Sequence, residues 1–189
     1  MVFTLNSERL TVREYTIDDL PAAHRIAAEC FGSTDPVDAT RTWLEWATRN
    51  YAALRVLYQP PYGDYAVVRK SDGLQVGAVG LVQSTIPWRV LEGDTSANAD
   101  LIAPEFGLYW ATLPEYQGHA YAGEAARAMI DFAFGTLRAR RIVATTEHEN
   151  HNSQRVMEKL GMTLHRNTTG KPHWCQVVGE LRNPLWDGR

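Results

Sequence analysis

Cysteine is scarce: Cys30 and Cys175 are the only two in 189 residues. Two thiols so far apart make neither a disulfide framework nor a close-spaced metal pair, and a reducing cytoplasm is the expected compartment. Long apolar runs are missing too, none approaching the ~20 residues that cross a bilayer. The opening Met1–Leu10 already carries Glu8 and Arg9, so neither a targeting segment nor a membrane partner is expected. Excess positive charge is also lacking: Lys and Arg number 19 against 22 Asp and Glu, for a net charge of -3 and a pI near 6.1. Neutralising phosphates takes clustered cations, so nucleic acid is not expected as a partner. The nearest cluster, Arg138, Arg140 and Arg141, reads as cations complementing a helix end.

What is present is ordinary globular composition, 44% apolar and 22% charged, with a length that suits one domain over residues 1–189. Arg9 to Arg13 alternates as a strand. Thr16 with Asp19 spells a capping box, followed by Leu20, Ala23, Ala27 and Cys30 at helical spacing. A second helix spans about Asp38–Leu57 with Trp43 and Trp46, and stops at the Pro60-Pro61 breaker. Tyr65–Arg69, the Asp72-Gly73 turn and Gln75–Val82 read as a hairpin. A long connection, Ser84–Pro104, holds Glu92, Asp94 and Asp100, which suit a cationic acceptor or plain solubility.

Glu105–Thr112 reads as a strand, and Ala122–Leu137 is the strongest helix, with one apolar stripe through Ala126, Met129, Ile130, Ala133 and Phe134. A strand at Ile142–Thr146, a helix at about Asn152–Leu160 closed by Gly161, and strands near Met162–His165 and Trp174–Leu181 complete the chain. The fold class is mixed α/β (α+β), a mostly antiparallel sheet flanked by helices.

The chemistry concentrates where Pro114-Glu115-Tyr116-Gln117-Gly118-His119-Ala120-Tyr121-Ala122-Gly123 leaves a strand and enters the best helix. Small residues at a helix N-terminus make an anion site, because several N–H groups there lack partners. A tight packing turn explains the same residues equally well. His148 and His151 flank Glu149 without the metalloprotease spacing, and no metal is expected. Trp43, Trp46 and Trp88 fit either an acceptor pocket or, more simply, the core.

These residues resemble the GNAT superfamily of N-acetyltransferases, and within it the ribosomal-protein N-terminal acetyltransferases of the RimJ/RimL type. The family's pyrophosphate loop, Gln/Arg-x-x-Gly-x-Gly/Ala, lies on Gln117, Gly118, His119, Ala120, Tyr121 and Ala122 in register, with Ala120 where a central Gly is usual. Asn150, Ser153 and Glu158-Lys159-Leu160-Gly161-Met162 match its second motif, and Glu8-Arg9-Leu10-Thr11-Val12-Arg13 its opening strand.

The resemblance implies a single GNAT-like domain that carries acetyl from acetyl-CoA, its cosubstrate, to a small-molecule amine or a protein N-terminus. It leaves a homodimer open. Gln117 to Gly123 would bind the coenzyme with Leu113, Asn150 and Ser153, Asn150 through its amide to the pantetheine arm. A main-chain N–H between Trp110 and Leu113 would meet the oxyanion. Glu105 is the expected base, although its spacing to Pro114 runs two residues long, a shift of roughly 6–7 Å unless a bulge absorbs it. Glu115 is a weaker candidate. Ser153 would protonate the leaving thiolate, since the position where many relatives carry Tyr is Met157; a helix N-cap is the plain alternative for Ser153. A catalytically weak acyl-CoA-binding module of the same fold is the competing reading.

Overall fold

The computed structural model describes residues 3–88, 91 and 103–185. Among them run the strands β1 (Thr4–Asn6), β2 (Leu10–Glu14), β3 (Gly63–Arg69), β4 (Gln75–Thr85), β5 (Pro104–Thr112), β6 (Arg141–Thr146), β7 (Thr163–Arg166) and β8 (Val177–Arg182). The helices are α1 (Leu20–Phe31), α2 (Val37–Val56), α3 (Tyr121–Gly135) and α4 (His151–Leu160). One sheet has the order β1-β2-β3-β4-β5-β6-β8-β7. The pairs β1–β2, β2–β3, β3–β4, β6–β8 and β7–β8 are antiparallel, and β5–β6 is parallel. The mixed, mostly antiparallel sheet with helices is the architecture expected. Glu92, Asp94 and Asp100 lie outside the described residues.

Internal packing divides the chain into two compact units, one formed by the residues up to Leu81 with Trp110–Met129, the other by Val82–Tyr109 with Ile130 onward. In the first, α1 turns Leu20, Ala23 and Ile26 inward and α2 turns in Thr40, Leu44, Ala47 and Tyr51, the three-and-four spacing of an amphipathic face. The Thr16–Asp19 box forms as expected. The Thr16 N–H donates to the Asp19 carboxylate at 2.7 Å, and Arg13 grips that carboxylate through both Nη atoms at 2.7 Å each. Burial alone would raise Asp19, but Arg13 and Thr16 together hold it below the ordinary carboxylate range. Trp43 meets Tyr15 edge-on, whereas Trp46 faces solvent rather than the core. Gly77, on β4, lies against the main chain of Ala111 on β5. β1 was not expected, because three residues are too few to show a period.

In the second unit, α4 buries Gln154, Met157 and Leu160 and packs against β6, β7 and β8. The sulfurs of Met157 and Met162 converge over Gly179, where a side-chain carbon would come within 3.0 Å and 2.9 Å of them. Ile86, Val143, Cys175 and Val178 form a cluster joined by Trp88 and Leu91. β8 starts at Val177, three residues later than expected, because buried Asn167 ties the preceding turn. Its amide donates to the carbonyls of Lys171 and Cys175 at 2.8 Å each. α3 stops at Gly135 rather than Leu137: the Leu137 N–H returns to the Phe132 carbonyl, and Arg138 takes a φ of 56°. No helix among the described residues is long and apolar enough to cross a membrane.

Candidate active site

Between β5 and α3 the chain makes one 3-10 turn, Pro114–Tyr116, and then leaves regular structure until Tyr121. Gln117 folds back to donate to the Thr112 carbonyl at 3.2 Å, and His119 Nδ1 sits 2.9 Å from the Gln117 carbonyl, which makes that nitrogen a donor. Gly118 has a φ of 80° and Ala120 a φ of 62°. Positive φ at these two positions is a backbone conformation that anion nests use. A side-chain carbon built on Gly118 or on Gly123 would meet nothing within 4 Å, so the space over both is open.

The first intrahelical bond of α3 runs from Glu124 N–H to the Ala120 carbonyl at 3.1 Å. The N–H groups of Tyr121, Ala122 and Gly123 therefore have no acceptor within the helix. Three N–H groups thus stand at the positive end of a fifteen-residue helix, an arrangement whose chemistry suits an anion.

Ala120 is the departure from the family pattern, and the structure gives it the backbone that glycine adopts freely. For an L-residue that conformation costs roughly 1–2 kcal/mol. Ala120→Gly is expected to raise the unfolding free energy by about 0.5–1 kcal/mol, the strain relief outweighing the extra freedom of an unfolded glycine. Urea unfolding of the two proteins measures it.

Leu113 corrects an expectation. Its N–H donates to the Val76 carbonyl at 3.0 Å, its carbonyl accepts from Tyr116 N–H at 2.9 Å, and its side chain is buried. Both main-chain groups are engaged in building the strand exit. Glu115 is exposed and pairs with Arg25 at 2.8 Å.

In the second unit, Asn150 is the N-cap of α4, its Oδ1 accepting from Ser153 N–H at 3.0 Å. The capping role weighed for Ser153 thus belongs to Asn150. Ser153 stands one turn before Met157, with its hydroxyl outside the cap bond, and the Asn150 Nδ2 is likewise unused by the cap. Met157 is fully buried and belongs to the core.

Glu105 sits near the start of β5, buried. Its Oε1 accepts from Trp88 Nε1 at 3.1 Å and from Arg141 Nη2, and its Oε2 accepts from Arg141 Nε at 2.7 Å. Arg141 also donates to Glu180 at 3.1 Å and lies over the Trp88 ring, 4.5 Å from its centroid. Glu180 further accepts from Arg182 at 2.9 Å and faces His165 at 3.3 Å. Burial would raise the Glu180 carboxyl, yet Arg182 and Arg141 bring it below the ordinary carboxylate range. A row of side chains from β5, β6, β8 and β7 is thus stitched together. Arg141 is no helix-end cation, as its sequence neighbours implied; it is the centre of this row, brought beside Glu105 by the parallel register Phe106–Ile142. Among the described residues three donors reach Glu105, against about four lone-pair positions on a carboxylate. Among the described residues no group of His, Cys, Asp or Glu is arranged to hold a metal ion.

The acetyltransferase (GNAT) domain family matches residues 9–163. The chain belongs to that GNAT family. Among its relatives in Bacillus subtilis 168, the uncharacterized N-acetyltransferase YnaD is 45% identical over 57 residues, 30% of this chain and 34% of that protein. The uncharacterized N-acetyltransferase YjdG is 29% identical over 117 residues, 62% of this chain and 61% of that protein. The alignments thus span less than two thirds of either relative. The GNAT fold is shared with a solved structure named ribosomal-protein-S5-alanine acetyltransferase from Vibrio fischeri, at a TM-score of 0.69 and 18% identity, covering 97% of this chain and 98% of that one.

Proposed function

We propose that this protein is an acetyl-CoA-dependent N-acetyltransferase whose acceptor is a primary amine, either a protein N-terminus as in the RimJ/RimL branch or a small amine, acting in the cytoplasm as one catalytic domain. The observation that carries the proposal is the trio of N–H groups at Tyr121, Ala122 and Gly123 that have no acceptor within α3, behind the left-handed Gly118 and Ala120. With the positive end of the helix dipole, these donors suit the anionic oxygens of a coenzyme diphosphate. Gln117, His119 and the loop around them hold that group, and Asn150 turns its unused Nδ2 to a pantetheine carbonyl.

The chemistry follows from the reactants. A neutral amine attacks the thioester carbonyl, forming the C–N bond and a tetrahedral oxyanion, which a main-chain N–H of Trp110–Thr112 stabilises. Glu105 takes a proton from the attacking nitrogen through its remaining lone pair. Collapse breaks the C–S bond, and the thiolate takes its proton from Ser153, Met157 having none to give; solvent returns a proton to Ser153 as Glu105 releases the one it took from the amine. The products are the amide and free CoA.

A thiol-release assay over amines and N-terminal peptides tests this, with acceptor-stimulated release expected. Coenzyme binding without such release would instead support an acyl-CoA-binding module, a reading favoured by the crowded carboxylate of Glu105 and by Met157. Asn150→Ala is expected to cost about 1 kcal/mol of stability as a lost cap and to weaken CoA binding by calorimetry. Asn150→Asp keeps the cap and loses the donor, so it should restore only the stability.

A further inference from the structure

We infer that Arg9 is a positioning residue that holds the diphosphate loop in its binding conformation; the inference rests on the coenzyme reading above. Arg9 lies just before β2, and its own backbone is fixed by Lys70 N–H donating to its carbonyl at 2.9 Å. From there its guanidinium reaches two points of the loop and helix at once. Nε and Nη2 grip the Glu124 carboxylate at 2.7 Å and 2.6 Å, and Nη2 also donates to the His119 carbonyl at 3.0 Å. Its carbon lies 4.8 Å from the Tyr121 ring centroid, and that ring stacks on His119 at 5.5 Å and 14°. The Arg9 N–H and the Ser7 hydroxyl complete the grip on Glu124, at 2.8 Å and 2.7 Å.

Two consequences follow for an anion at this helix end. First, the His119 carbonyl belongs to the peptide that leads into Ala120, the residue held at a φ of 62°. A peptide whose oxygen is held by a guanidinium is hindered from rotating to relieve that alanine, which keeps the Ala120 N–H of the same peptide in place at the mouth of α3. A glycine there would keep the shape unaided; this chain has alanine, and supplies an arginine instead. Second, Glu124 places a carboxylate in the first turn of α3, where it would repel a diphosphate. Hydrogen bonds from Ser7 and Arg9 outweigh its burial and hold it ionised below the ordinary carboxylate range, and the guanidinium cancels its charge.

The test is a cycle among wild type, Arg9→Ala, Ala120→Gly and the double variant, with Arg9→Lys beside it. Kd for CoA is read by calorimetry, the thermal midpoint by scanning, and kcat and KM for acetyl-CoA by thiol release. Arg9→Ala is expected to raise Kd and KM at least tenfold with kcat changed less than threefold. Arg9→Lys should recover part of the affinity, since one ammonium cannot serve carboxylate and carbonyl together. Adding Ala120→Gly to Arg9→Ala should restore several-fold, because glycine needs no clamp. An Arg9→Ala protein with a lowered thermal midpoint but wild-type Kd would overturn the inference, as would strict additivity in the cycle. Should Arg9→Ala fail to fold, Glu124→Gln loosens the same clamp and must raise Kd. Wild-type protein that binds no CoA would instead overturn the coenzyme reading on which the inference stands.

Discussion

Gly77→Ala is expected to lower the unfolding free energy by about 3 kcal/mol or more and to leave little folded protein at 37 °C. A side-chain carbon at Gly77 would lie 2.1 Å from the Ala111 carbonyl oxygen, with the Ala111 carbonyl carbon and the Thr112 Cα both at 3.2 Å. The three nearest atoms are all main chain, so no rotamer change relieves the contact and β4 must part from β5. Overpacking that side chains can absorb typically costs 1–3 kcal/mol; displacement of a strand belongs at or beyond the top of that range. The exit of β5 depends on this approach, because the next rung, Leu113 N–H to the Val76 carbonyl, fixes where the loop begins. Chemical denaturation compares the two proteins, and an alanine variant of wild-type stability would show that the strands lie further apart than described.

Glu105→Gln is the second large effect. The substitution keeps the shape of the side chain and removes the charge that answers Arg141, whose guanidinium is mostly buried. Breaking a buried ion pair on one side typically costs 3–5 kcal/mol; Glu180 continues to answer Arg141, which places the expected loss near 3 kcal/mol. If Glu105 also receives the amine proton, the variant should lose at least about 100-fold in turnover near neutral pH, the low end for general base catalysis, while binding CoA as wild type does. Turnover rising with pH would then mark an acceptor that sheds its own proton. A stable, fully active variant across the pH range would remove Glu105 from the mechanism, and a destabilised but fully active one would leave it as an anchor of the strands.

Those two effects also mark where the sequence could and could not be read. The strand-loop-helix order around Gln117 to Gly123 was legible because its cues are local: small residues, a preceding strand and a following amphipathic helix all lie within about twenty positions. Helix starts were legible for the same reason, as with Thr16 and Asp19. Contacts set by register were not. Glu105 and Arg141 stand 36 positions apart, and only the parallel pairing of β5 with β6 places them side by side; three arginines close together in sequence pointed to a helix end instead. Leu113 looked like a main-chain donor until the β4 partner of its N–H was seen. The cap of α4 fell to Asn150 rather than Ser153 for a subtler reason, since either residue type caps a helix and the two stand only three positions apart.

The meeting of Met157 and Met162 over Gly179 bears on how this protein ages. Both thioethers are buried, so peroxide reaches them only when α4 lifts from the sheet. A sulfoxide oxygen added during such an opening has no room above Gly179 and turns an apolar contact into a polar one without a partner. Closure would then be blocked until a reductase removed the oxygen, so that a brief excursion which is harmless in reducing surroundings becomes a lasting lesion under oxidative stress.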